Sequence, residues 1–95
     1  MSVYSVKTPK AFRKDVRRLI KSGYPMHKLQ LAIDLLATGR PLPESYADHT
    51  LHGELEGQRE CHIGPDWILL YKKEQKTLLL LLLRTGTHRD ALGIE

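Results

Sequence analysis

The stretch CHIGPDWILLYK, residues 61–72, constrains this chain more than any other, because it reads as a β-hairpin set inside a sheet. Gly64-Pro65 separates two β-compatible runs. Glycine reaches unusual backbone angles and proline cannot donate to a central ladder, so the chain must reverse there. The run that follows, Trp67 to Tyr71, is apolar and aromatic without a break, as expected of a strand inside a sheet rather than at its edge. The turn gathers His62, Asp66 and Trp67. An imidazole, a carboxylate and an indole on a stiff hairpin can exchange protons, orient one another and stack on a flat ligand. The same residues also have a purely structural reading, with Trp67 anchoring the core, Asp66 closing the turn and His62 solvated.

A second apolar run, Leu78 to Leu83, lacks alternation, and leucine favours helix over strand, so propensity alone leaves it ambiguous. Its length decides. Six residues between a polar turn at 72–76 and Thr85-Gly86 suit a buried central strand. Arg84 and His88 then fall just past the strand end, near a short C-terminal turn containing Leu92.

Upstream, Val3 to Val6 alternates weakly and is a short strand candidate. Thr8-Pro9 predicts an N-cap followed by proline at the first helical position, where a missing N–H costs nothing. Phe12, Val16, Leu19 and Ile20 recur at helical spacing, while Lys10, Arg13, Lys14, Arg17, Arg18 and Lys21 occupy the other positions. Six cations against one acid, Asp15, give this amphipathic helix a strongly basic outer face. Gly23 ends it, and Pro25 opens a second helix with Met26, Leu29, Ile33 and Leu36 on one stripe and a stop at Gly39. The pair forms a helical hairpin.

Between the hairpins, RPLPESYADH is a proline-spaced loop that delivers His49 to the next strand. Gly53 and Gly57 in HTLHGELEGQRE predict a short strand, a turn and entry into the hairpin strand at Arg59. His49, His52 and Cys61 do not make a convincing zinc site. Adjacent strand residues Cys61 and His62 point to opposite faces, and no paired metal spacing is present. Ninety-five residues suit one domain, 1–95, able to bury a core without disulfides or metal. The single cysteine excludes an internal disulfide and points to a reducing cytoplasm. The start has no signal-peptide core, and no apolar run approaches the ~18 residues of a membrane span.

The net charge of +4 suggests an acidic partner, and its placement says more. Residues 1–40 hold nine Lys/Arg against two Asp, whereas residues 41–95 hold six against nine acidic residues. The basic face belongs to the helices and suits a phosphate backbone.

The segment PLPESYADHTLHGELEGQRECHIGPDWILLYK followed by RTGTH carries a resemblance. With its proline-spaced loop, DH, PDW and terminal TH in order, the chain resembles the YafQ branch of the RelE-type bacterial toxins, ribosome-dependent mRNA endoribonucleases of toxin–antitoxin modules. The resemblance implies an α+β fold, with an N-terminal strand and a basic helical hairpin packed on a small antiparallel β-sheet. It places active-site positions at His49, His62, Asp66, Trp67 and His88, and phosphate contacts at Arg59 and Arg84. It implies a cognate antitoxin, whose contact segment reaches the helical hairpin, the active face or both, and a ribosome with bound mRNA as partners. It implies no metal or other cofactor. Leu92 stands where close relatives carry an aromatic residue, which leaves Trp67 as the aromatic platform for a base.

Metal-free RNA cleavage needs a base for the ribose 2′-hydroxyl, an acid for the 5′-oxygen and cations for the phosphate. His49 or Asp66 is expected on the 2′-hydroxyl side, His88 at the leaving group and His62 as an orienting group. Arg59 and Arg84 can grip phosphate through two parallel bonds, as lysine cannot. Arg13, Lys14, Arg17, Arg18 and Lys21 are expected against RNA phosphates, and His27 and His52 at the surface. Two alternatives are a related fold that targets a protein such as gyrase, and a non-catalytic nucleic-acid-binding module.

Overall fold

The computed structural model describes residues 3–92. The chain runs β1 (Ser5–Lys7), α1 (Lys10–Lys21), α2 (Met26–Ala37), a 3-10 turn (Glu44–Tyr46), β2 (His49–Thr50), a second 3-10 turn (Gly53–Leu55), β3 (Arg59–Gly64), β4 (Trp67–Glu74), β5 (Leu79–Gly86) and α3 (His88–Leu92). This is the predicted α+β arrangement with one correction. The sheet is mixed, because β1 joins it parallel to β5, with Ser5 opposite Leu79, while the remaining pairs are antiparallel. The strand order β1-β5-β4-β3-β2 puts the leucine-rich β5 inside the sheet, as its apolar run requires.

β5 starts at Leu79 rather than Leu78, which sits in the preceding turn at φ +52° with 44% of its surface exposed. Alternation invisible in a row of leucines appears in the burial: Leu80 and Leu82 are buried, and Leu79, Leu81 and Leu83 only partly. An irregularity at Leu70/Tyr71 then changes the phase, since Leu70 faces Arg84 but Tyr71 faces Leu82. Thr85 consequently takes the core-facing slot beside Leu69.

Against one side of the sheet pack Phe12 and Leu19 of α1 and Leu29, Leu36 and Ala37 of α2, meeting Cys61, Trp67, Leu69, Tyr71, Leu80 and Leu82. α1 begins one residue later than predicted. Pro9 is its N-cap, so Thr8 supplies no side-chain cap. The helix ends as glycine predicts, with Gly23 at φ +80°, a conformation that costs a β-carbon-bearing residue. Among the described residues no helix is long and apolar enough to cross a membrane.

The basic outer face of α1 needs a second correction, because Asp15 is not on it. Asp15 is 1% exposed and points at β5. Its carboxylate accepts Arg84 Nε at 2.7 Å, an Arg84 Nη at 3.0 Å, the Thr85 backbone N–H at 3.1 Å and an Arg18 Nη at 3.2 Å. Removing the acceptor strands these donors, and breaking a buried charge pair costs roughly 3–5 kcal/mol, toward the lower end where one partner keeps some water. Arg84 keeps 35% of its side chain exposed, so Asp15→Ala is expected to cost about 3 kcal/mol in urea unfolding. A loss below about 1 kcal/mol would show that the contact does not hold α1 to the sheet.

Candidate active site

Strand parity builds the site. Glu60 and His62 alternate with Arg59 and Cys61 along β3, so the first pair faces away from the helices and the second faces the core. His49 of β2 stands directly opposite Glu60, which brings its imidazole over the same face. The β3–β4 reversal at Pro65-Asp66 holds Asp66 at φ +48°, a left-handed conformation that aspartate tolerates better than most residues. His88 opens α3 immediately after β5, within reach of both Glu60 and Asp66.

The geometry is that of a carboxylate-held histidine cluster. Glu60, with 6% of its side chain exposed, places Oε2 2.9 Å from His49 Nε2 and Oε1 2.9 Å from His88 Nε2. His88 Nδ1 lies 2.8 Å from Asp66 Oδ1, which also accepts the His88 backbone N–H at 3.2 Å. His49 Nδ1 lies 2.7 Å from the Ala47 carbonyl oxygen, an obligate acceptor. The Nε2 atoms of both rings lie at ion-pair distance from Glu60, but neither approach has hydrogen-bond geometry, and the buried Glu60 Oε1 has no hydrogen-bond partner among the described residues. His62 differs. Among the described residues its ring makes no hydrogen bond, yet its centroid is 5.3 Å from that of His88 and 6.3 Å from that of His49. The hydrogen bond from the His88 ring, then that from the His88 backbone, holds the Asp66 carboxyl below the usual carboxylate range.

Four of the expected residues, His49, His62, Asp66 and His88, therefore share one face. Three do not behave as expected. Trp67 is 3% exposed, packed edge-on against Tyr24 at 5.0 Å, and its Nε1–H donates to the Thr85 hydroxyl at 3.0 Å. It offers no open ring to a base, so the structural reading of Trp67 is the correct one. Arg59 lies on the opposite face from the histidines and donates to Asp48 at 2.7 Å and to the Tyr71 hydroxyl at 3.3 Å. The Tyr71 hydroxyl in turn donates to Asp48, and burial pushes its pKa up. Arg84 directs its Nε and one Nη to Asp15, leaving the other Nη without a bond among the described residues. Of the basic helix residues, Arg13, Lys14, Arg17 and Lys21 are exposed, whereas Arg18 is tied to Asp15 and lies 3.7 Å from Asp90.

Glu60 is the member of this cluster that sequence reasoning missed. Its signal was present, since it shares strand parity with His62 two residues later. Glu60, His62 and His88 also bring donor atoms within 4.8 Å of one another, a spacing that fits one metal ion with two imidazoles and a carboxylate. No such set was expected from the sequence, because His88 comes from a distant element. Cys61, the other thiol-type candidate, is buried on the core side, where desolvation pushes its pKa up to about 12.

The family profile described as "Bacterial toxin of type II toxin-antitoxin system, YafQ" matches residues 4–93. The chain belongs to the YafQ toxin family. It is 43% identical over 83 residues to the mRNA interferase toxin YafQ of Escherichia coli K12, covering 86% of this chain and 88% of that protein. The crystal structure of the E. coli DinJ-YafQ toxin–antitoxin complex superposes with a TM-score of 0.83 at 39% identity, covering 90% of this chain and 93% of that one. A copper-bound mutant toxin from Helicobacter pylori superposes with a TM-score of 0.86 at 34% identity, covering 92% and 97%. The YafQ-type fold thus extends over nearly the whole described chain.

Two measurements check this site. Because its pKa is depressed, Asp66 should titrate below the ordinary carboxylate range by NMR. Its contact with His88 should be fully present above that range and be lost only as pH falls through the depressed value. His88→Ala should return Asp66 toward ordinary titration, and an Asp66 pKa unmoved by that change would contradict the bond. Trp67 fluorescence should resist acrylamide quenching and stay unchanged on RNA addition, whereas strong quenching would place the indole at the surface.

Proposed function

We propose that this YafQ-family chain is an endoribonuclease toxin that cuts messenger RNA on the ribosome, by metal-free attack of the ribose 2′-hydroxyl. The observation that carries this reading is the convergence of His49, His62 and His88 with Glu60 and Asp66 on one open face. The same convergence favours an enzyme over a non-catalytic binding module or a protein-targeting toxin, neither of which needs it. Its relative YafQ from E. coli is an mRNA interferase toxin. A toxin acting on ribosome-bound message works in the cytoplasm.

The contacts suggest a division of labour. His88, placed between the Glu60 and Asp66 carboxylates, suits protonation of the departing 5′-oxygen. His62 has uncommitted nitrogens and suits removal of the 2′-hydroxyl proton. Asp66 is a weakened base because the His88 bonds stabilise its charged form, so it orients His88. His49, between the Ala47 carbonyl and Glu60, supplies positive charge for the phosphate when protonated, together with the unbonded Nη of Arg84. The 2′-oxygen attacks phosphorus, the bond to the 5′-oxygen breaks, and the products carry a 2′,3′-cyclic phosphate and a 5′-hydroxyl.

A second reading has its own observation. Glu60, His62 and His88 fit a metal ion, and the H. pylori toxin has been solved with copper. A bound ion would polarise a phosphate oxygen or a water. In this chain it would also occupy nitrogens that the proposed acid and base need, so added zinc or copper should inhibit.

The partner implied is an antitoxin, as DinJ is for E. coli YafQ. Between α1 and α2 runs an apolar groove of about 460 Å³, walled by Phe12, Val16 and Ile20 on one side and Met26, Leu29 and Ile33 on the other. Beside it stands the exposed basic face of α1, so an acidic amphipathic segment is the complementary shape and charge. Expression without that partner should slow growth and translation. Reversing Arg13 and Arg17 should weaken ribosome association and flatten its salt dependence, since fewer counterions are released; co-sedimentation unchanged in moderate salt would reduce the basic face to solubility.

The mechanism is tested by single-turnover cleavage of a ribosome-bound message. His62→Ala and His88→Ala should each lose on the order of 10²–10⁴ in rate with ribosome binding nearly intact. His49→Ala and Asp66→Ala should also slow cleavage, and chelator should have no effect. Wild-type rates in all four variants, or activity abolished by chelation, would overturn the metal-free acid–base site.

A further inference from the structure

With Trp67 buried and Leu92 on α3, the cluster lacks the aromatic platform on which a nucleobase would stack. The remaining rings can be sorted. Phe12 and Tyr71 are buried in the core, Tyr24 packs edge-on against Trp67, and Tyr4 lies beneath the Lys73 ammonium at 5.0 Å. Of the six aromatic residues, Tyr46 is left; it packs at the margin of the core cluster, with no ring or cation partner across it among the described residues. It sits in the 3-10 turn after the proline-spaced loop, half-buried, and its hydroxyl makes no hydrogen bond among the described residues.

Tyr46 lines an open hollow of about 290 Å³, together with Lys28, Leu31, Ser45, Ile63 and His62. The shared wall is His62, so the hollow opens directly beside the histidine cluster. Its chemistry is that of a nucleotide subsite. An aromatic ring and two aliphatic side chains, one of them Leu31 at 54% exposure, offer a flat apolar surface. Ser45 offers a hydroxyl for a base edge or ribose. Lys28, exposed and without an ion pair among the described residues, offers charge for a phosphate. Its volume lies near the lower end of ordinary ligand sites, roughly 300–1,000 Å³, which suits one nucleotide rather than a folded segment.

We propose that this hollow holds the nucleotide next to the scissile phosphate on the 2′-hydroxyl side, with its base stacked on Tyr46 and its flanking phosphate on Lys28. This rests on the nuclease reading, and it makes Tyr46 the platform that positions the nucleotide beside His62. Stacking there draws the 2′-hydroxyl toward His62, the ring with free nitrogens. Placement of the reacting atoms would then come from the α2 side of the cluster, opposite α3 and its proton donor.

The test compares wild type, Tyr46→Ala, Tyr46→Phe and Lys28→Ala for cleavage of a translated message, with cut sites mapped at nucleotide resolution. Tyr46→Ala should lose roughly tenfold or more in kcat/KM, mostly through KM, and redistribute its cut sites. Tyr46→Phe should keep both rate and cut sites, because the ring is retained. Lys28→Ala is an exposed change that leaves the fold intact, and it should raise KM and flatten the salt dependence of binding. A dinucleotide with a 2′-deoxy first sugar, titrated into wild-type protein, should shift the backbone amides of Ser45, Tyr46 and Ile63. Cut sites and KM unchanged in both Tyr46→Ala and Lys28→Ala would overturn the subsite, as would a dinucleotide that leaves those amides unmoved. The same holds if the variants weaken only antitoxin binding, which would assign the hollow to the protein partner. Absence of any cleavage by wild type would instead overturn the nuclease reading, which separates the two failures.

Discussion

The buried carboxylate of Asp15 ties the first helix to the far end of the chain, and the placement of the active face follows from it. At 1% exposure it is costly to ionise unless it is surrounded by donors, and Arg84, Arg18 and the Thr85 N–H surround it. The bonds to Arg84 and Thr85 span 69 and 70 residues of sequence. From Thr85 the network continues to the Trp67 indole and the Ile68 carbonyl, so α1, β5 and β4 are locked at one point. His88 follows three residues later. A carboxylate buried in this way adds little net stability over an apolar contact, but its donors come from both α1 and β5, so it joins the helix to one end of that strand.

The histidine face uses the same device with different partners. Glu60 is buried like Asp15, but the groups it faces are imidazoles on exposed rims rather than a committed guanidinium. A guanidinium keeps its charge at any accessible pH, so the Asp15 site is static. An imidazole can exist with or without its extra proton, so the groups around Glu60 are of a kind that acid–base chemistry uses. Both carboxylates gather basic side chains from distant elements.

Parity sorted the candidate residues between the two sides of the sheet. Arg59 and Trp67 were near-neighbours of His62 and Asp66 along the chain, yet they serve the core side. The bond from Arg59 to Asp48, which raises the guanidinium pKa, stitches the loop before β2 to the sheet. The Trp67 ring fills the space under Tyr24. Both residues therefore help hold the scaffold that presents the histidines, and neither faces the open side where a phosphate or a base would lie.

What the sequence determined alone was whatever depends on local preference. The existence of a reversal after β3, the helix stops at Gly23 and Gly39, the apolar stripe of α1 and the strand identity of the leucine run are set by backbone sterics and short-range periodicity, although the turn itself is Pro65-Asp66 and its left-handed residue is Asp66 rather than Gly64. The motif order was enough to bring His49, His62, Asp66 and His88 together as candidates. Tertiary structure decided the direction in which each group faces. That Asp15 turns inward, that β1 joins the sheet in parallel, that Glu60 completes the cluster and that Trp67 is buried all depend on pairings between distant segments. The physical reason is that burial and hydrogen-bond partnership belong to pairs of residues. A strand's parity is visible in one dimension, but which of its faces meets the helices is settled only when the sheet and helices pack.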